Sequence, residues 1–247
     1  MINILLCGCS GKMGQNVIKC ASTYDDIKII EGVDKNQTNV DFNIYDNFDN
    51  IPVRPDVIID FSIPNTLNSL LMYALTNNVP AVICTTGYSE EEIQSIKNAS
   101  ERIPIFFSGN MSLGINVLIE LSKKAARALG DNFDIEIIEK HHNQKIDAPS
   151  GTALMIANSI KEIDNDKTFI YDRHELRQKR DPKEIGIHSV RGGSIVGEHE
   201  VIFAGHDETI TLTHQAQSKE VFAEGSIKAA KFLVGKSPKL YNMGDMI

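Results

Sequence analysis

The feature that most constrains the fold of this chain is a glycine-rich turn between an apolar segment and a helix-forming segment. Ile2–Cys7 predicts a buried strand, and Lys12–Tyr24 predicts the helix that follows it. Gly8, Gly11 and Gly14 have the spacing G-x-x-G-x-x-G, instead of the commoner G-x-G-x-x-G. Small residues in such a turn let the backbone approach a pyrophosphate, toward which the first helical N–H groups point. The turn predicts a dinucleotide-binding domain, and a purely structural glycine turn is the alternative.

The first 110 residues alternate strand and helix patterns, as a doubly wound parallel sheet requires. Further strands are predicted at residues 27–33, 55–61, 80–84 and 103–107. A helix is predicted at 65–77, because its leucines recur at the spacing of one helix face. Ser89 and Glu92 have the spacing of a capping box and predict the start of another helix.

The pattern changes after residue 110. Helices are predicted at 113–129 and 152–163, with a strand at 134–140 between them. Strand patterns then follow in succession at 186–191, 198–204 and 208–216, which favours a mostly antiparallel sheet. A last helix is predicted at 221–234, and its pattern does not assign it to either domain. The expected fold class is an α/β Rossmann-like dinucleotide-binding domain plus an α+β domain with a mostly antiparallel sheet.

Candidate cofactor contacts lie in the loops at the carboxyl ends of the predicted strands, where parallel sheets bind ligands. Asp34 ends the second strand, where a carboxylate can accept hydrogen bonds from an adenosine ribose. Lys35 beside it would tolerate the 2′-phosphate of NADP, so the pair indicates NADH and/or NADPH, unless Lys35 is an ordinary surface lysine. The full set of cofactor-binding candidates is Gly8, Cys9, Ser10, Gly11, Lys12, Met13, Gly14, Asp34, Lys35, Cys84, Thr85, Thr86, Ser108, Gly109, Asn110 and Met111. The later loops are also compatible with ordinary turn chemistry.

The densest group of polar residues follows the predicted strand at 134–140. Its candidate substrate contacts are His141, His142, Lys145, Ser150, Gly151 and Thr152. The histidines and the lysine supply proton donors and positive charge. The serine is a candidate helix N-cap, and the first N–H groups of that helix would face an anion. The loop therefore predicts a cradle for a carboxylate or phosphate, with a proton donor beside it.

Two other interpretations of this polar loop stay open. His141, His142 and Asp147 are possible zinc ligands. Adjacent histidines on a strand point to opposite faces and rarely reach one metal, so no metal is expected. The loop could also be purely structural, with His141 as a satisfied histidine at the end of a strand.

The composition disfavours several classes of protein. The formal net charge is −8, whereas a nucleic-acid-binding protein usually has a basic excess. No apolar run approaches the length of about 18 residues that a membrane span needs, and the N-terminus lacks a signal-peptide pattern, so a cytoplasmic location without a membrane partner is expected. The four cysteines form no C-x-x-C pair and are expected to be reduced.

The polar loop and its flanks resemble the signature of the dihydrodipicolinate reductase family of lysine biosynthesis. The signature is carried by Glu136-Ile137-Ile138-Glu139-Lys140-His141-His142 and by Lys145-x-Asp147-Ala148-Pro149-Ser150-Gly151-Thr152-Ala153. Further segments follow in the family's order, namely Gly8-x-x-Gly11-Lys12-Met13-Gly14, Asp60-Phe61-Ser62, Thr85-Thr86-Gly87-Tyr88, Gly109-Asn110-Met111-Ser112 and Arg191-Gly192-Gly193 with Gly197-Glu198-His199. The resemblance covers essentially the whole chain. Two residues depart from the family pattern. Cys84 stands where the family often has glycine, and Lys219 stands where some members have arginine.

The resemblance implies an NAD(P)H-dependent oxidoreductase that reduces 4-hydroxy-tetrahydrodipicolinate, a small dicarboxylate, to tetrahydrodipicolinate in lysine and diaminopimelate biosynthesis. It implies that His141 is the general acid and that Lys145 binds a carboxylate and assists proton donation. It implies that His142, Ser150, Gly151 and Thr152 bind the substrate. The implied domains are 1–110 with 218–247, which bind the dinucleotide, and 111–217, which binds substrate and assembles a homotetramer.

Two alternatives to this function are considered. Another nicotinamide-dependent enzyme, such as an aspartate or homoserine dehydrogenase, would share the nucleotide-binding half but would not be expected to carry the polar-loop signature. A redox-sensing protein would hold NAD(H) without turnover, and it would show no substrate-dependent loss of absorbance at 340 nm.

Overall fold

The computed structural model describes every residue from Met1 to Ile247. The chain forms two compact units, of which the first combines Met1–Ser112 with Lys219–Ile247 and the second is Leu113–Ser218. The first unit is therefore discontinuous in sequence. None of the helices has both the length and the apolar character needed to cross a membrane.

Twelve strands and six α-helices make up the two units. In chain order they are β1 (Ile2–Cys7), α1 (Lys12–Ala21), β2 (Ile27–Val33), β3 (Asn43–Tyr45), β4 (Val57–Asp60), α2 (Leu67–Asn77), β5 (Ala81–Ile83), α3 (Glu90–Ser100), β6 (Pro104–Phe107), α4 (Leu113–Leu129), β7 (Asp134–His141), α5 (Gly151–Lys161), β8 (Thr168–Ile170), β9 (Glu184–Arg191), β10 (Gly197–Ala204), β11 (Thr209–Ala216), α6 (Glu220–Leu233) and β12 (Lys239–Tyr241). Short 3₁₀ turns precede α2, follow α4 and end the chain.

The first unit is built on a seven-stranded sheet in the order β12-β6-β5-β4-β1-β2-β3. All of its pairings are parallel. From β3 to β6 this is the order of a Rossmann sheet, and the order reverses between β1 and β4, beside the glycine turn. The expected Rossmann-like class is confirmed. The edge strands β3 and β12, of three residues each, are additions that the sequence pattern does not predict.

Two local predictions for this unit are confirmed by the packing. Leu67, Leu70 and Leu71 of α2 are buried in the core that the helix shares with the sheet. At the start of α3, the Ser89 hydroxyl accepts a hydrogen bond from the Glu92 N–H at 3.2 Å, and the Glu92 carboxylate accepts one from the Ser89 N–H at 2.8 Å. All four cysteines are free thiols.

The second unit is built on a five-stranded sheet in the order β11-β10-β7-β9-β8. Strand β10 is antiparallel to both β7 and β11, whereas β9 is parallel to β7 and β8. The α+β class is confirmed, and the sheet is mostly but not wholly antiparallel. The parallel part arises because β7 lies between β9 and β10, although those two strands are consecutive in the sequence.

One face of the second sheet is covered by helices α4 and α5. Ile135 and Ile137 of β7, with Val201 and Phe203 of β10, are buried beneath the helices. Strand β7 alternates half-buried and buried residues over its whole length. This alternation continues past the apolar residues, so two polar side chains at the end of β7 also lie on the helix-covered face.

Candidate active site

The centre of the polar site is a contact between His141 and Glu139 at the carboxyl end of β7. Both side chains lie on the helix-covered face, and the Glu139 side chain is fully buried. The His141 Nδ1 atom is 2.6 Å from the Glu139 Oε2 atom. Strand register places Arg191 of β9 opposite His141, and its guanidinium donates to both oxygens of Glu139 at 2.7 Å. The Ser150 N–H donates to the same carboxylate at 3.0 Å.

These hydrogen bonds set the protonation states of the pair. Burial alone would raise the pKa of Glu139, but hydrogen bonds from Arg191, His141 and their neighbours outweigh it and lower the pKa to about 2. Burial lowers the pKa of His141 below its ordinary 6.5, against the opposing effect of Glu139. Glu139 is therefore an anion that orients the imidazole through Nδ1, which leaves Nε2 as the other exchanging atom.

Strand β10 lies along the other side of His141. The ring of His199 packs edge-on to that of His141, with centroids 5.2 Å apart. The His199 Nε2 atom is 3.0 Å from the Ser150 hydroxyl, and burial lowers the pKa of His199 to about 3, so this second imidazole is neutral. A Cβ atom on Gly197 would lie 3.2 Å from Nε2 of His141.

The polar loop after β7 leads directly into α5. The Ser150 hydroxyl accepts a hydrogen bond from the Ala153 N–H at 3.2 Å, which confirms it as the N-cap of the helix. Ser150 is buried, with an exposed fraction of 1%, and its hydroxyl is engaged by the cap and by His199. Gly151 is exposed and Thr152 half-buried, so the first turn of α5 faces outward at this point.

The charged groups of the loop surround this helix start. The Lys145 ammonium is 2.8 Å from the Asp147 carboxylate and contributes to the low pKa of His141. His142 is half-buried, and its carbonyl accepts a hydrogen bond from the Lys145 N–H at 3.1 Å. The structure thus brings His141, Lys145 and the N-terminus of α5 into one site. Zinc is not favoured by this geometry, because Nδ1 of His141 is engaged by Glu139 and no three His, Cys, Asp or Glu side chains cluster as ligands.

Three members of this network are missing from the set that the sequence predicts: Glu139, Arg191 and His199. A signal for Glu139 exists, because a glutamate at a core-facing position of an alternating strand is rarely left unpaired. The segment from Arg191 to His199 belongs to the family resemblance, but nothing local assigns either residue to the site. Each reaches it through the pairing of its strand with β7, at a separation of 50 residues for Arg191 and 60 for His199.

The glycine turn of the first unit has the close packing that a dinucleotide requires. Gly8 has a φ of +76°, and a Cβ atom on it would lie 2.4 Å from the Phe61 carbonyl oxygen. A Cβ atom on Gly14 would lie 2.2 Å from the Gly8 carbonyl oxygen. The N-cap residue of α1 is Gly11, and no side chain forms a capping hydrogen bond with the first N–H groups of the helix. The turn therefore fits an NAD(P)H pyrophosphate.

The Asp34 carboxylate is tied to this turn. Its two oxygens accept hydrogen bonds from the Ser10 N–H at 3.0 Å and from the Asn36 N–H at 2.9 Å. Both oxygens keep acceptor capacity for a ribose hydroxyl. Lys35 beside it is exposed, as is Lys12 at the start of α1.

The remaining cofactor candidates differ in which atoms they can offer. The side chains of Cys9, Cys84 and Met111 are buried, so any contact from these residues is through the backbone. Thr86 and Gly109 are exposed, Met13 is half-buried and Thr85 is buried. The Ser108 hydroxyl accepts from the Asn110 N–H at 3.2 Å, and the Asn110 side chain accepts from the Ser112 N–H at 2.8 Å. These bonds show that the loop after β6 also has ordinary turn chemistry.

Two family models together match nearly the whole chain. The model described as "Dihydrodipicolinate reductase, N-terminus" matches residues 2–111, and "Dihydrodipicolinate reductase, C-terminus" matches residues 114–247. The chain is 52% identical to a 4-hydroxy-tetrahydrodipicolinate reductase of Caldanaerobacter subterraneus subsp. tengcongensis, over 100% of this chain and 98% of that protein. It is 51% identical to the enzyme of the same name from Clostridium tetani, over 100% and 97%. The chain belongs to the dihydrodipicolinate reductase family.

Solved structures agree with this assignment. A dipicolinate-bound dihydrodipicolinate reductase from Paenisporosarcina sp. TG-14 matches with a TM-score of 0.84 at 25% identity, over 100% of both chains. An aspartate dehydrogenase from Thermotoga maritima reaches a TM-score of 0.54 at 13% identity, which shows a shared fold alone. The resemblance drawn from the sequence is confirmed, as is the expected class of NAD(P)H-dependent oxidoreductase.

Replacing Glu139 with glutamine tests the buried ion pair. The Glu139→Gln variant leaves the Arg191 guanidinium without its counter-charge, so we expect its free energy of unfolding at pH 7 to fall by about 3 kcal/mol in urea denaturation. The folded pKa of Glu139 is about 2 against an ordinary 4.5. The advantage of the wild type is therefore full above pH 4.5 and shrinks as the pH falls toward 2.

The matched control is Glu120→Gln on helix α4. Glu120 pairs with Lys123 one helical turn away, and both side chains are partly exposed. That change is expected to lower the free energy of unfolding by less than about 1 kcal/mol. Equal losses in the two variants would contradict the special role of the Glu139 pair.

Proposed function

We propose that this chain reduces 4-hydroxy-tetrahydrodipicolinate to tetrahydrodipicolinate with NADH or NADPH, and that His141 is the proton donor. The observation that carries the second part is the 2.6 Å contact between Glu139 and Nδ1 of His141. A carboxylate at Nδ1 fixes the ring orientation and stabilises the imidazolium form. His141 can then deliver a proton from Nε2 to the substrate.

The dicarboxylate substrate is held by the loop and the first turn of α5. The N–H groups of Gly151 and Thr152 bind one carboxylate, where the positive end of the helix dipole favours an anion. The Gly151 N–H donates to the Asp147 carboxylate in this structure, so the substrate carboxylate takes the place of Asp147 there. Lys145 exchanges its contact with Asp147 for a substrate carboxylate and assists proton donation, and His142 adds a further donor. Ser150 contributes by fixing the start of α5, because its hydroxyl caps the helix and its N–H donates to Glu139. The dipicolinate in the Paenisporosarcina enzyme is a ligand of this chemical class.

The dinucleotide is held by the glycine turn and the strand ends of the first sheet. When bound, NADH or NADPH supplies a hydride to the substrate. The N–H groups at the start of α1 and the Lys12 ammonium would hold the pyrophosphate. The Asp34 carboxylate would accept hydrogen bonds from the hydroxyls of the adenosine ribose. The 4-hydroxyl group of the substrate leaves as water before or during reduction. His141 provides the proton that balances the charge left by hydride addition.

The two units have separate tasks in this proposal. Residues 1–110 and 218–247 bind the dinucleotide, and residues 111–217 bind the substrate. The proposal includes a cytoplasmic location and no nucleic-acid partner, and the net charge of −8 supports the second of these. Locally positive groups such as Lys145 and the start of α5 supply the attraction for the substrate.

The pH dependence of turnover tests the role of His141. A general acid must be protonated, so kcat/KM is expected to fall as the pH rises through the pKa of His141 in the free enzyme, which lies below 6.5. The value of kcat should fall at a higher pH, because a bound dianion raises the pKa of the imidazole. Both profiles are measured by loss of NADPH absorbance at 340 nm with freshly made 4-hydroxy-tetrahydrodipicolinate.

The His141→Gln variant is expected to lose about 10²–10³-fold in kcat and to lose this pH-dependent limb. The control is His174→Gln, which makes the same change at an exposed histidine of the same unit. A limb that persists in His141→Gln would remove His141 as the proton donor. Absence of substrate-dependent oxidation of both NADH and NADPH in the wild type would remove the function itself.

The Asp34→Asn variant tests the ribose contact. The carboxylate accepts from the ribose of NADH but repels the 2′-phosphate of NADPH, so the variant should lose about ten-fold in NADH affinity and less in NADPH affinity. Calorimetric titration of each cofactor measures the two constants. Asp41→Asn, at an exposed aspartate farther along the chain, is the control. Equal losses for both cofactors would show that Asp34 acts only by tethering the glycine turn.

We further propose a homotetramer assembled through the sheet face that α4 and α5 leave uncovered. Ile138 and Ile202 on that face stay partly exposed, and Val190 is 44% exposed. Light scattering should give about four times the chain mass of 27.4 kDa. Ile202→Glu should reduce that mass while the chain stays folded, and Met72→Glu, at an exposed residue of α2, should not. A monomeric wild type would contradict the proposal.

A further inference from the structure

Strand β10 carries a glycine at the point where it passes the imidazole of His141. Gly197 is buried, and its φ is not in the left-handed region, so its backbone conformation is open to any residue. Gly197 is the first residue of β10 and pairs with Ala216 of β11. A glycine at a paired position adds chain entropy to the unfolded state and no packing to the folded one. The reason for a glycine here is therefore the space around it.

That space lies against the reacting edge of the imidazole. A Cβ atom on Gly197 would lie 3.2 Å from Nε2 of His141 and 3.5 Å from its Cδ2. The first distance is shorter than an ordinary van der Waals contact of about 3.5–4.0 Å. A methyl group at this position would therefore push the ring by a few tenths of an ångström.

The ring cannot move without losing another contact. Its Nδ1 atom is held at 2.6 Å by Glu139, and Glu139 is held in turn by Arg191 and the Ser150 N–H. The ring of His199 packs on it at 5.2 Å and is itself fixed by the Ser150 hydroxyl. The imidazole is thus held by Glu139 at Nδ1 and by the packing of His199, while Gly197 leaves space beside Nε2.

We propose that Gly197 is a positioning residue for proton donation: by lacking a side chain beside Nε2, it lets His141 keep its contact with Glu139 while its proton-bearing edge stays open to the substrate. This inference rests on the proposed function. It adds a residue that touches neither substrate nor cofactor and that acts through His141. The groups that bind the carboxylates lie in the loop and α5, so they are not displaced by a change at Gly197.

The test compares Gly197→Ala with wild type in steady-state kinetics. Displacement of a catalytic group by a fraction of an ångström should lower kcat about ten-fold. KM for the dicarboxylate should stay within about two-fold, since uniform binding is unchanged. The bulkier Gly197→Val should lose more kcat than Gly197→Ala. Urea unfolding monitors stability, and Gly197→Ala is expected to remain fully folded under the conditions of the assay.

The deciding measurement is the same substitution in a His141→Gln background. A residue that acts through His141 has no further effect once the imidazole is gone, so the double variant should turn over as slowly as His141→Gln alone. A general folding defect would lower the activity of both backgrounds by the same factor, and that result would overturn the proposal. Unchanged kcat in Gly197→Ala would also overturn it. An inactive wild type would instead refute the proposed function.

Discussion

The polar site of the second unit depends on one buried anion. The Glu139 side chain has no exposure to solvent, yet its low pKa keeps it ionised. A buried charge is tolerated only when it is paired and hydrogen-bonded, and here three elements contribute: β9 through Arg191, β7 through His141 and α5 through the Ser150 N–H. The carboxylate therefore fixes two strands and the start of a helix relative to one another.

This arrangement gives the start of α5 two partners on the same sheet face. Ser150 meets Glu139 through its backbone N–H and His199 through its hydroxyl, and both of those residues also contact His141. The anion-attracting end of the helix and the imidazole are consequently parts of one hydrogen-bonded group. In the proposed reaction, the first turn of α5, which binds one carboxylate, and the imidazole that protonates the substrate therefore keep a fixed separation.

Much of the fold could be predicted from the sequence because its signals are local. Helix α4 has the predicted bounds, Leu113–Leu129, and the strand-to-helix glycine turn predicted a Rossmann-like domain, which the first sheet confirms. Strands β3 and β12 have only three residues each, too few to show the alternation of apolar and polar residues that identifies a strand. The parallel pairing of β7 with β9 could not be predicted either. The order of the strands in the sequence does not determine which strand lies between two others in the sheet.

The candidate site divides along the same line. The loop from His141 to Thr152 is continuous in sequence, so its histidines, lysine and N-cap are visible as a group. Arg191 and His199 join it only through the register of β9 and β10 against β7. Protonation states are also a product of tertiary structure, since burial lowers the pKa of both His141 and His199 and only His141 has a carboxylate partner.

The unequal environments of the two histidines bear on how the proposed reaction is controlled. His199 lacks a carboxylate and stays neutral, so it does not oppose a positive charge on the ring it packs against. His141 has Glu139 on one side and the cationic Lys145 and Arg191 nearby, which favour loss of its proton. A dicarboxylate that binds Lys145 offsets part of that cationic effect. Substrate binding would then favour the protonated form of His141. The general acid would carry its proton when substrate is bound, and the imidazole would be neutral in the free enzyme.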